Sequence, residues 1–144
     1  METAAHIRLI LARAAKAVER VDRASIARTG LNPSDFGILE ALLHKGPMPI
    51  NMIGSKVLLT SGSMTTAANR LVDKGLTVRV KDPADARCCN LHLTDSGRRL
   101  IESAYADHVQ NLESIVRDLD ARERRELVRL LKKIGCAADA IDSG

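Results

Sequence analysis

PINMIGSKVLLTSGSMTTAANRLVDKGLTVRVKDPADARCCNLHLTDSG, residues 49–97, is the stretch whose periodicities decide the fold. Its first part is expected to be a short helix from Pro49 to Val57, with Pro49 in the first turn, where a missing N–H costs little. Leu58 to Ser61 make a tight turn. A second helix then opens with Thr60 or Ser61 as N-cap and carries Met64, Ala67, Ala68, Leu71 and Val72 at helical spacing. Its opposite face is Ser63, Thr65, Thr66, Asn69 and Arg70, and Gly75 supplies a left-handed stop. Beyond it, Leu76–Lys81 and Asn90–Thr94 alternate as two strands, joined by the polar loop Asp82–Cys89. Two helices, a turn and a basic hairpin are the layout of a winged helix-turn-helix, here spanning residues 33–97. Short hydroxyls, an amide and a guanidinium at a helix N-terminal end suit phosphates and base edges in a major groove. Thr60, Ser61, Ser63, Thr65, Thr66, Asn69 and Arg70 are therefore candidate DNA contacts. So are Lys81 and Arg87 on the hairpin, with Asp85 as the orienting partner of Arg87 and a minor groove as the target.

The segment DPADARCCNLHLTDSG, from Asp82, resembles the wing signature of MarR-family transcriptional regulators: Asp82, Asp85, Arg87, Leu91, Leu93, Thr94 and Gly97 fall at the family's spacing. LLTSGSMTTAANRLVDKGL, from Leu58, is similar to that family's recognition helix, and the flanking helices extend the likeness over essentially the whole chain. Two positions depart from the pattern. Ala86 replaces a basic residue common there, and the adjacent Cys88 and Cys89 are additional. The resemblance implies a homodimeric DNA-binding regulator, usually a repressor released by a small ligand or by thiol oxidation. It also implies a ligand pocket between the dimer helices and the winged domain. His6, Arg13, Phe36, His44, Met48 and Met52 are the candidates there, a mix of apolar wall and cation suited to an aromatic acid or phenol.

Composition agrees independently. A chain of 144 residues is expected to be a single domain, and its core must be aliphatic, because Phe36 and Tyr105 are its only aromatics. The net charge of +4 is unevenly spread: residues 45–100 carry +5, residues 1–44 carry +1 and residues 101–144 carry −2. Positive charge thus concentrates on the proposed DNA reader. No apolar run approaches the ~20 residues that cross a bilayer, and Arg8, Arg13 and Lys16 interrupt any signal-like run, so a cytoplasmic location without membrane contact is expected.

On the flanks, Ile7, Ile10, Leu11, Ala14, Val18, Val21 and Ser25 follow a helical period up to Gly30. A helix beginning at Asn32-Pro33 turns Phe36, Leu39, Leu42 and Leu43 inward. Thr94 caps a long helix whose stripe runs from Leu100 through His108 to Leu119, and a last helix follows Asp120. The fold class expected is mostly α with a small β wing, and residues 1–30 and 100–144 are dimerisation helices. These helices offer more apolar surface than one small winged domain can cover, so a two-fold homodimer on a pseudo-palindromic duplex is the economical arrangement.

The chain has no glycine-rich phosphate loop, no nucleophile elbow despite the sequence TSGS, and no His–carboxylate pair at catalytic spacing, so it is not expected to be an enzyme and calls for no cofactor. A metal site would draw on Cys88, Cys89 and His92, but strand alternation places Cys89 on the face opposite the other two. The alternative to ligand control is thiol-based redox sensing by Cys88 and Cys89, whose pKa values Lys81 and Arg87 would lower.

Overall fold

The computed structural model describes residues 2–56 and 61–142. Their elements are α1 (Ala4–Arg28), α2 (Pro33–Lys45), β1 (Met48–Pro49), α3 (Ile50–Lys56), α4 (Ser61–Asp73), β2 (Thr77–Lys81), β3 (Cys89–Leu93), α5 (Asp95–Glu113) and α6 (Ala121–Asp142). Helix dominates, and the wing is the only sheet among the described residues.

The local signals act where they fall. Asn32 Oδ1 accepts the N–H of Asp35 at 2.8 Å and Pro33 occupies the first turn of α2, which satisfies one of the four free donors of a helix start. Gly75 adopts φ 74°, closing α4 in the left-handed region that a Cβ disfavours. Thr94 then fastens two elements together. Its hydroxyl donates to the Gly75 carbonyl at 2.7 Å and accepts the Gly97 N–H at 3.0 Å. At Gly97 the α5 backbone packs so closely that an added Cβ would lie 1.9 Å from the Leu76 carbonyl oxygen.

The sheet is antiparallel in the order β1-β3-β2, with Met48 opposite Leu91, Thr77 opposite Leu93 and Lys81 opposite Cys89. Pro49 belongs to β1, not to the first turn of the following helix, and it faces Asn90. An edge strand tolerates the missing N–H as well as a helix start does. This third strand ties the helix-turn-helix to the wing. Beneath it the core of Phe36, Ile38, Leu39, Leu42, Ile53, Met64, Leu71, Leu91 and Ile101 is essentially excluded from solvent. Each of α2, α3, α4, α5 and β3 contributes to it.

The contacts divide into two compact units, residues 1–111 and 112–144. The long helix expected to run to Leu119 stops at Glu113, and turns fill the six positions before Asp120. Arg124 takes up the carbonyls this leaves, donating to Leu119 at 3.0 Å and Val116 at 2.9 Å. An Asp120–Glu123 capping box starts α6, with side chain to N–H bonds of 2.8 and 3.0 Å. Within α6 no residue is buried, and Leu127, Leu130, Leu131 and Ile134 form an exposed stripe. A second exposed stripe, Ile7, Ile10, Val18 and Val21, runs along α1.

Candidate nucleic-acid interface

α4 separates its faces as its spacing dictates. Met64, Ala67, Ala68 and Leu71 are buried, which leaves Ser63, Thr65, Thr66 and Asn69 exposed on the opposite side. Thr60 lies outside the described residues, and Ser61 is the first residue of the helix. Beside this face stands the hairpin, on which Arg79, Lys81 and Arg87 are exposed. The Arg79 guanidinium donates to Asn69 Oδ1, bridging the helix and β2. Arg79 was not among the sequence candidates. Val78 to Lys81 are all exposed, so strand alternation does not single it out, and only the cross-element contact reveals its partner.

Arg70 is placed differently from the expectation that it reads a base. Its Nε donates to both carboxylate oxygens of Asp35 at 3.1 and 3.2 Å, and its Nη2 donates to Oδ1 at 2.5 Å. Asp35 is 1% exposed, and Lys74 Nζ stands 3.6 Å from its other oxygen. Hydrogen bonding to Asp35 raises the Arg70 pKa further above its ordinary value. This fork-to-carboxylate geometry is directional and charge-assisted. It fixes the C-terminal half of α4 against the start of α2, so the guanidinium acts as a strut for the helix.

At the hairpin tip, Arg87 Nε donates to Asp85 Oδ1 at 3.1 Å, and the Arg87 N–H reaches the same oxygen at 3.1 Å. These bonds hold the Asp85 carboxyl below the usual carboxylate range. The Arg87 side chain nevertheless remains 91% exposed. Cys88 sits on the other side of the same carboxylate, with its Sγ 3.7 Å from Asp85 Oδ2. The Asp85 charge pushes the Cys88 thiol up, the reverse of the lowering expected from nearby cations. Those cations do not govern the thiol because Arg87 is itself paired with Asp85.

The six ligand candidates are scattered. Phe36 and Met48 are core residues, at 2% and 6% exposed. His6, beside Glu2, and Arg13 are exposed on α1, Met52 is exposed on α3, and His44 on α2 packs its ring edgewise against Tyr105 at 4.5 Å. Nor do the sequence candidates include a second buried polar cluster of the first unit, at Ser25 and His108. There His108 Nδ1 lies 2.8 Å from Ser25 Oγ, its Nε2 lies 3.1 Å from Asp22, and Asn111 donates to Ser25 Oγ at 3.0 Å. The three residue types are those of a Ser–His–Asp relay, but the ring nitrogens are exchanged, with Nδ1 rather than Nε2 on the serine. Ser25, moreover, is 2% exposed, and its oxygen is occupied by Asn111, so the cluster joins α1 to α5 without presenting a nucleophile. Its sequence signal was a histidine and a serine on the apolar stripes of two helices.

Residues 31–89 match the MarR family. The chain is 33% identical over 130 residues to the HTH-type transcriptional regulator MhqR of Bacillus subtilis, covering 90% of each protein. It is 35% identical over 135 residues to the uncharacterised HTH-type regulator YkoM of the same organism, covering 94% of this chain and 88% of the relative. Among solved structures it superimposes on Bordetella bronchiseptica BpsR, whose DNA binding is regulated by 6-hydroxynicotinic acid, with a TM-score of 0.74 and 26% identity. That match covers 90% of this chain and 98% of the other. With these likenesses over nearly its full length, and with the wing and helix geometry above, the chain belongs to the MarR family of winged-helix, DNA-binding transcriptional regulators and is not an enzyme.

Proposed function

We propose that the chain works in the cytoplasm as a homodimeric repressor that sets two copies of α4 in successive major grooves of a pseudo-palindromic operator, with each wing reaching the flanking minor groove. The observation that carries this reading is the polar face of α4, Ser63 to Asn69, bordered by Arg79, Lys81 and Arg87 on one side of the first unit. Phosphate contacts from the wing supply affinity, and the hydroxyl and amide groups at the helix supply sequence preference. No helix among the described residues is long and apolar enough to cross a membrane. The exposed stripes of α1 and α6 support the dimer, since monomeric proteins rarely leave such faces uncovered.

Release by a phenol or aromatic acid is the regulatory half of the proposal. BpsR, which responds to a hydroxylated pyridine carboxylic acid, supports that ligand class. A ligand can loosen the operator only by its differential affinity for the free and bound states. Selecting duplexes from a random pool with the purified protein, then titrating hydroxybenzoic and hydroxynicotinic acids into the complex, tests both halves. The expected result is a selected pseudo-palindrome and a ligand-dependent loss of its retention. Selection of no duplex sequence would contradict the first half, and retention unchanged by every acid would contradict the second.

A further inference from the structure

Strand alternation would send Cys88 and Cys89 to opposite faces, yet both line a single open cleft of about 660 Å3. The reason is that β3 begins only at Cys89. Cys88 belongs to the loop, where its N–H donates to the Asp85 carbonyl at 3.0 Å and its carbonyl accepts from Asp82 at 2.9 Å. The facing walls are Pro49 of β1, Ile50 of α3, and Met64 and Thr65 of α4, so the cleft is largely apolar and borders the proposed DNA surface. Both thiols are free, Cys88 exposed and Cys89 half-buried.

Asp85 pushes the Cys88 thiol up, with a smaller push in the same direction from Cys89 beside it. Peroxide sensing needs a thiolate, so this environment opposes it. Condensation with an arsenic–oxygen group differs, because the oxygen leaving arsenic carries the thiol proton away as water. Soft thiol ligands favour a soft centre of this kind.

We propose that Cys88 and Cys89 form a two-thiol chelating site for trivalent organoarsenicals, and that its occupation displaces DNA from α4 and the wing. With phenylarsine oxide, two S–H bonds break and two As–S bonds form. The oxide oxygen leaves as one water carrying both protons. Arsenic stays trivalent and no oxidant is consumed. Because the two cysteines are consecutive, the second As–S bond closes within one chain, where the effective thiol concentration is high. The phenyl ring then enters the cleft beside Ile50, and the adduct stands between α4 and a duplex. The displacement rests on the DNA reading proposed above, whereas the chelation does not.

The test is intact-protein mass after one equivalent of phenylarsine oxide, in excess 2-mercaptoethanol and then in 2,3-dimercaptopropanol. One phenylarsenic unit per chain is expected to survive the monothiol and to be stripped by the dithiol. It is expected in Cys136→Ser and lost in Cys88→Ser and in Cys89→Ser. The wild-type adduct is expected to lose retention of the selected duplex, and the retention of each single variant at positions 88 and 89, whatever its starting level, is expected not to change with arsenical. A monothiol-resistant adduct in either of those two variants, or an adduct the monothiol removes from wild type, would overturn the site. A stable adduct that still holds the duplex would overturn the displacement. The mass measurement uses no DNA, so failure of the DNA reading is distinguished from failure of the site.

Discussion

Asp35 anchors α4 through Arg70, and its 1% exposure makes the pair directional rather than a loose surface attraction. Asp35→Asn keeps the size and one acceptor but removes the charge. Since the Arg70 side chain is 35% exposed and water screens its side of the pair, the expected loss is about 1–2 kcal/mol in urea unfolding. An unchanged midpoint would contradict the strut. The same role predicts that Arg70→Ala weakens all duplexes alike, read by binding to single-base variants of the selected site. A change of preference confined to one position would instead restore Arg70 as a base reader. Gly97 is constrained by space: the Cβ of Gly97→Ala would overlap the Leu76 carbonyl. The substitution is expected to cost about 1–3 kcal/mol, and a melting temperature equal to wild type would refute the close approach. Neither partner was legible in sequence. Asp35 looked like an ordinary acid in a first helical turn, and its pairing depends on a residue 35 positions away.

Among the elements, the hairpin holds its tip by local bonds from Asp82 and Asp85, so its course was readable from residue types alone. The bounds of α4 and the wing strands were legible for the same reason, since glycine, caps and alternation act within a few residues. The strand at Met48–Pro49 and the stop at Glu113 were not. A two-residue strand has no periodicity of its own, and the apolar spacing of Leu112, Ile115, Val116 and Leu119 suits a helix until the Arg124 contacts are known. The wing pair carries a pH consequence. Because Arg87 lowers the Asp85 pKa, the interaction is present above the ordinary carboxylate pKa and is lost only as pH falls through the lowered value. Duplex affinity should therefore show no Asp85-dependent change between about pH 8 and pH 5, checked by comparing wild type with Asp85→Asn across that range. A ratio between the two that shifts within it would contradict the assignment. Arg87→Ala is expected to weaken binding most on A·T-rich flanks, where a narrow minor groove concentrates negative potential.

For the whole molecule, α6 is the decisive element, because it has a strong apolar stripe and none of its residues is buried. Its period was readable from sequence, but what covers it was not, since exposure is a property of the folded chain. Leu131→Glu places a charge in that stripe and is expected to yield monomer by light scattering at concentrations where wild type is dimeric. Persistence of the dimer would move the interface elsewhere. The central claim, that two chains present paired α4 helices to one duplex, is tested most directly by sedimentation of the protein with its selected duplex while the half-site spacing is varied. The account predicts two chains per duplex and tight binding only when the half-site centres lie about one helical turn, ~34 Å, apart. One chain per duplex, or affinity indifferent to that spacing, would contradict it.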